Sequence, residues 1–215
     1  MDAQHPLAVI TPTLDGDVLT YLALTETAFT PGQLSRLLPK GSVEGTRKVL
    51  NRLAKQGIVV ATRVGDAATT YELNRDHLAA DAVIALANQA RTLRQRIEKL
   101  VASWDEPPVY AALFGSWARG QATVESDVDL FLVQPDDADE AQWDAQLDAL
   151  QQAVSRWTGN DARPFVIDEA DVPQRRTEPV LQSIRSEGVT MYGDAAWFRK
   201  QVRPRVLVRK TEGAE

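Results

Sequence analysis

Apolar residues recur at helical spacing in three short stretches near the start of the chain. The first is Val18 to Leu24. Thr30-Pro31 reads as an N-cap with proline in the first turn. It predicts a second helix through Gln33, Leu34, Leu37 and Leu38, stopping at Pro39-Lys40-Gly41. Ser42 can cap a third helix, Val43 to Lys55, with Val49, Leu50 and Leu53 on one side and Gly57 as its terminating glycine. Two β-prone runs follow, Ile58-Val59-Val60 and Thr69-Thr70-Tyr71-Glu72-Leu73, separated by Gly65-Asp66. From His77 to Trp104, Leu78, Val83, Ile84, Leu86, Leu93, Ile97, Leu100 and Val101 keep helical spacing. At about 1.5 Å per residue, one helix there would span about 40 Å and connect two domains. It also offers a dimerisation surface. Pro107-Pro108 ends it.

The texture then changes. Val109 to Phe114 reads as a buried strand, Gly115 to Gly120 as a turn into a short helix, and Val128 to Val133 as a second strand. Asp136 to Trp157 is an acidic amphipathic helix, and Arg163 to Ile167 a third strand. Pro179 to Glu187 is a further helix and Gly188 to Tyr192 a last strand. The expected class is α+β. A helical and two-strand module fills 1–76, a linker helix 77–106, an α/β domain with a small mixed sheet 107–198, and a basic tail 199–215. Arg199, Lys200, Arg203, Arg205, Arg209 and Lys210 make that tail basic.

With 44% hydrophobic and 25% charged residues, the chain can build a packed core. Cysteine is absent, which excludes disulfides and thiolate metal sites and fits a reducing cytoplasm. No stretch approaches the ~20 apolar residues of a membrane span, so the expected location is cytoplasmic, with no membrane partner. The net charge of −6 is unevenly spread, because Thr30 to His77 holds eight Lys/Arg against four acids. Such a block reads either as a surface for a polyanion or as a solvated helical face.

The candidate chemistry lies in Leu113-Phe114-Gly115-Ser116-Trp117-Ala118-Arg119-Gly120, followed by Ser126-Asp127-Val128-Asp129-Leu130. A Gly-Ser pair at a strand-to-helix turn lets backbone N–H groups and the hydroxyl approach phosphate oxygens. Asp127 and Asp129 are two residues apart, so on a strand both carboxylates share one face. An oxygen-only pair of this kind suits Mg²⁺ (or Mn²⁺) bridging to a nucleotide.

Gly-Ser-x-Ala-Arg-Gly followed by Ser-Asp-x-Asp-Leu resembles the signature of minimal nucleotidyltransferases in the DNA polymerase β superfamily. Glu187-Gly188-Val189-x-Met191-Tyr192-Gly193 is similar to the end of that domain. The resemblance implies that Asp127 and Asp129 hold metal and act in catalysis. It implies that Gly115, Ser116, Arg119 and Ser126 face an NTP, with ATP the expected one. Arg119 could instead pair with a local acid, and Trp117 could stack on a base or pack on the sheet. Active members usually carry a third acid on the following strand. Arg163-Pro164-Phe165-Val166-Ile167 has none, but Asp161 and Asp168 flank it; either could substitute or be an ordinary loop acid or cap, and Asp168, at the strand's end, is the one taken as the expected third catalytic carboxylate. His5, expected to be disordered, and His77, at the start of the long helix, are the only histidines, and neither is placed to activate Ser126.

Val43 to Leu53 with Gln56-Gly57-Ile58-Val59 resembles the recognition helix and wing entry of bacterial winged helix-turn-helix regulators, and the Tyr71-to-Ala79 junction is similar to a known fusion of such a module to a minimal nucleotidyltransferase. The resemblance implies double-stranded DNA as a partner and, for a regulator, a homodimer. Thr46, Arg47 and Asn51 would read base edges. Lys48, Arg52, Lys55 and Arg63 would complete the DNA-facing set, Arg52, Lys55 and Arg63 on phosphates. Protein contacts are the alternative use of such a module.

Two functions are therefore expected. One is transfer of a nucleoside monophosphate from an NTP to a hydroxyl of a protein, RNA or small molecule. Relatives of the domain act as antitoxins that modify a partner toxin, which makes a toxin protein the favoured acceptor. The other is transcription regulation, with a degenerate nucleotidyltransferase domain that senses nucleotide.

Overall fold

Thr30 and Ser42 cap the helices that follow them, and the rest of the N-terminal unit builds on those two starts. The computed structural model describes residues 1–65 and 68–203. Helix α1 spans Leu14–Leu24, α2 Pro31–Leu37 and α3 Val43–Lys55. The Thr30 hydroxyl accepts from the Gln33 N–H while the Gln33 side chain accepts from the Thr30 N–H, a reciprocal pair that fixes the start of α2. The Ser42 hydroxyl accepts the Gly45 N–H at 3.0 Å. Gly57, at φ +83°, ends α3 in the left-handed region, as its position after the last apolar residue predicts.

Strands β1 (Val59–Val64) and β2 (Ala68–Leu73) pair antiparallel, Val59 opposite Leu73. Leu34, Leu50, Leu53, Ile58, Tyr71 and Leu73 pack with Val18 and Leu22 into one core. Arg52 of α3 and Asp15 of α1 form an ion pair that ties those helices together.

The expected single helix over 77–104 is two: α4 (Ala80–Ala87) and α5 (Gln89–Ala102). Asn88 breaks it. Its side-chain amide donates to the Ile84 carbonyl at 2.8 Å, the carbonyl that also accepts the Asn88 backbone N–H at 3.1 Å. His77 precedes α4, its ring Nδ1 accepting the Ala79 N–H. Ala80 and Ala87 are buried in the first core, so α4 belongs to the N-terminal unit and is not a free connector.

The chain divides into two units. One comprises Met1–Leu93 with Gly120–Glu125, and the other Arg94–Arg119 with the described residues from Ser126 onward.

In the second unit, β3 (Tyr110–Leu113) leads into α6 (Gly115–Ala118), then come β4 (Val128–Gln134) and α7 (Glu140–Thr158). They are followed by β5 (Ala162–Asp168), α8 (Pro179–Glu187), β6 (Val189–Gly193) and α9 (Ala195–Gln201). The sheet order is β5-β4-β3-β6, with β4 and β5 parallel and the other pairs antiparallel, a small mixed sheet. Helix α7 is the crossover that makes β4 and β5 parallel. Asp139 caps it by accepting the Gln142 N–H, and Gly159 at φ +72° closes it. Tyr110, Phe131, Val133 and Ile167 pack with Leu181, Ile184 and Phe198 from α8 and α9. Edge strand β5 carries Pro164 near its middle.

Arg199 and Lys200 lie within α9, so the segment from 199 does not begin as a separate tail. Arg205, Arg209 and Lys210 fall outside the described residues. Among the described residues, no helix is long and apolar enough to cross a membrane.

Candidate functional site

The four residues of β3 are all buried, and the chain leaves the sheet at Phe114. The Phe114 N–H donates to the Asp129 carbonyl at 3.0 Å, which ties the turn to β4. Gly115 follows at φ +66°, a left-handed backbone that disfavours any Cβ. Space imposes the same choice, since a Cβ at residue 115 would overlap Asp129 Oδ2. The glycine of the Gly-Ser pair is thus required by its backbone and by the carboxylate resting on it. Trp117 is buried, which settles it as a packing residue rather than a platform for a base.

Asp129 lies in β4 and Asp127 one residue before that strand, so strand alternation puts both on one side of the sheet. Burial raises the Asp129 carboxyl above its ordinary range, and the neighbouring Asp127 charge raises it further; Arg163 and Arg119 pull the other way. A neighbouring like charge disfavours the ionised carboxylate, as burial does. Behind the two aspartates, the buried Asn160 side chain donates to the Ser126 carbonyl at 2.7 Å. The Val128 N–H donates to the Asp161 carbonyl at 2.7 Å. These two bonds fix the backbone on either side of Asp127.

Arg163, the second residue of β5, is the register partner of Asp129. Its guanidinium lies 2.8 Å from Asp127 Oδ2 and 3.9 Å from Asp161 Oδ2. Arg119 reaches Glu187 of α8 at 2.7 Å, so it pairs with a local acid here.

Asp168 is not brought to this site. The register sets Asp129 beside Arg163 and Gln134 beside Asp168, five residues along the strands. At about 3.3 Å per residue that separates them by roughly 16 Å, and alternation turns Asp168 to the other face. The expectation of Asp168 as third carboxylate is therefore corrected: an arginine, not an acid, stands beside Asp129. Sequence reading also passed over Asn160 and Arg163. Arg163 could have been found by sliding β5 against β4 as parallel neighbours. Asn160 carries no sequence signal that sets it apart from other loop asparagines.

In the N-terminal unit, the candidate DNA-facing residues divide. Arg47, Lys48, Asn51 and Lys55 are exposed on α3, and Arg63 is exposed on β1. Arg47 pairs with Glu44 at 2.8 Å, and Asn51 accepts from the Tyr71 hydroxyl at 2.8 Å. Thr46 is fully buried, which corrects its expected role: its hydroxyl cannot reach a base edge. Arg52 is committed to Asp15. His5, expected to be disordered, bonds Asp17 through Nδ1 at 2.7 Å.

The donor set can be tested against a divalent ion. Among the described residues, no group of three or more His, Cys, Asp or Glu side chains is arranged to hold a metal. Two carboxylates remain, and Mg²⁺ commonly takes one or two carboxylates plus substrate phosphates. The pair fits that demand.

Residues 92–171 match the family model described as the nucleotidyltransferase domain. That stretch holds the Gly-Ser turn, both aspartates and Arg163. A search of curated proteins finds no match. Among solved structures, several toxin–antitoxin assemblies are partly similar. A toxin–antitoxin with AMP-PNP is 19% identical with TM-score 0.37, over 51% of this chain and 80% of that one. The MntA–HepT toxin–antitoxin is 18% identical with TM-score 0.34, over 52% of this chain and 82% of that one. The complex of a tri-AMPylated Shewanella oneidensis HEPN toxin with MNT antitoxin is 17% identical with TM-score 0.34, over 53% and 80%. The likeness at these values is partial and spans about half of the chain.

Proposed function

We propose that this protein is a cytoplasmic, metal-dependent nucleotidyltransferase that moves a nucleoside monophosphate from an NTP, with ATP the first candidate, to a hydroxyl of a partner protein such as a toxin. The observation that carries this reading is the Asp129 carboxylate resting on Gly115 of the Gly-Ser turn, with Asp127 on the same face. Gly115 and Ser116 would hold the triphosphate, with Ser126 and Arg119 near it. Asp127 and Asp129 would hold Mg²⁺ or Mn²⁺, which when bound polarises the phosphoryl group and favours attack by a hydroxyl. The protein's own part is positioning: the two backbone bonds around Asp127 and the contact at Gly115 fix the carboxylates before substrate arrives. Asp127 is 32% exposed, so a macromolecular hydroxyl has access to the pair.

We assign double-stranded DNA as the partner of the N-terminal unit, read as a winged helix, through Arg47, Lys48, Asn51, Lys55 and Arg63. A homodimer would supply two such surfaces to paired half-sites. A second reading keeps the DNA contact but makes the nucleotidyltransferase domain a nucleotide sensor. One observation favours it: Asp168 lies away from the aspartate pair and Arg163 takes the adjacent place.

One experiment separates the two. Purified protein is incubated with α-labelled ATP, Mg²⁺ and cell lysate, beside an Asp127→Asn/Asp129→Asn control. Label on a macromolecule, lost in the control, supports the enzyme; nucleotide binding without label supports the sensor.

A further inference from the structure

Arg163 sets a positive charge directly against the carboxylate cluster, while Arg119 is paired with Glu187. Arg163 is the second residue of β5, directly beside Asp129, and its guanidinium contacts Asp127 at 2.8 Å with Asp161 at 3.9 Å. A guanidinium stays charged at every accessible pH, so this pairing cannot be relieved by proton loss. The carboxylate pair therefore has a cation supplied by its own chain.

We propose that Arg163 is a built-in counter-cation that occupies Asp127 in the nucleotide-free protein, so that free divalent metal binds weakly and binds well only together with a nucleotide. The proposal rests on the nucleotidyltransferase reading for the identity of that nucleotide. Two features make the exchange feasible. The Arg163 side chain is 63% exposed, so it can leave Asp127 without disturbing the core. Its planar fork also matches phosphate oxygens, so an arriving triphosphate offers the guanidinium a new partner as Asp127 is released. Arg163 thereby couples the arrival of phosphate to the opening of the metal ligand. It is a positioning residue that acts through Asp127.

The test uses the full chain and Mn²⁺ as probe, with free ion followed by electron paramagnetic resonance, without nucleotide. Arg163→Gln is expected to bind Mn²⁺ about tenfold more tightly than wild type, because a nearby positive charge and a competing ligand pair are both removed. Arg163→Lys, which keeps the charge, should stay near the wild-type affinity. Asp127→Asn combined with Arg163→Gln should lose the gain. With a non-hydrolysable ATP analogue present, the difference between wild type and Arg163→Gln should narrow. An Arg163→Gln affinity equal to or below wild type overturns the proposal, and so does a gain that persists in the Asp127→Asn background. Melting temperatures check that each variant is folded. The labelled-ATP assay keeps the two ideas apart. Tighter Mn²⁺ binding without transfer in any form leaves Arg163's role standing and removes the enzyme; transfer by wild type with unchanged Mn²⁺ binding does the reverse.

Discussion

The Asp129 carboxylate lies against Gly115 so closely that a Cβ at residue 115 would overlap its Oδ2. Gly115→Ala must therefore move the Asp129 carboxylate and also hold alanine in a left-handed backbone, which alone costs about 1–2 kcal/mol. The variant should melt at lower temperature and lose label transfer. Wild-type melting and wild-type transfer together would show that the close approach is dispensable.

Asp129 gives a stability prediction with a definite sign. Its carboxyl is raised from the ordinary 3.8 by burial first and by Asp127 second. Over the window between 3.8 and the raised value, the folded chain keeps a proton that the unfolded chain releases. Stability then falls as pH rises through that window, and the cost is complete above it. Asp129→Asn removes the cost. Its melting temperature should equal wild type at low pH and exceed it at neutral pH in metal-free buffer, while transfer is abolished. A neutral-pH melting temperature below wild type would contradict the electrostatic account.

Asn160 supports the strand entry that presents Asp127. Asn160→Ala would strip the Ser126 carbonyl of the 2.7 Å bond that the buried amide supplies. The expected loss is about 1–3 kcal/mol in chemical denaturation. A change within about 0.3 kcal/mol would mean that water replaces the amide without penalty.

Thr46 and Lys48 are near neighbours on α3 with opposite expectations. Thr46 is buried and its hydroxyl lacks a hydrogen-bond partner. Thr46→Val should stabilise the chain by about 1 kcal/mol, since an unpaired buried hydroxyl is unfavourable, and should leave DNA affinity unchanged. Lys48→Ala and Lys55→Ala should each weaken DNA binding and reduce the slope of log affinity against log salt by about one. A gel-shift series across salt concentrations checks both. DNA affinity lost in Thr46→Val but kept in the lysine variants would reverse the assignment of the α3 face.

Much of this architecture was legible because it is written in local chemistry. Thr30-Pro31, Ser42 and Gly57 punctuate the first helices, and the apolar run of β4 with an amphipathic helix after it fits the expected small mixed sheet. The Gly-Ser turn and Asp-x-Asp spacing are short-range patterns too, and the structure brings Gly115 and Asp129 together. What escaped depends on register between strands. Nothing local says that β5 meets β4 with Arg163 beside Asp129 and Asp168 five residues further on. Thr46 was misread in a related way, because α3 buries a polar residue where its pattern offers an exposed one. The break at Asn88 hides inside unbroken apolar periodicity, which marks no boundary between Ala87 and Gln89.

Pro164, near the middle of the outer strand β5, has no N–H to offer another chain, and the exposed charge of Arg163 stands just before it. Proline and charge on a sheet border are how soluble proteins blunt strand-to-strand aggregation. The border of the described sheet nearest the aspartates is therefore poorly suited to zipping onto a second copy. Should this chain assemble in pairs, the joint would be sought on helical surfaces, and concentrated solutions would be guarded at this edge against growth into extended β-stacks.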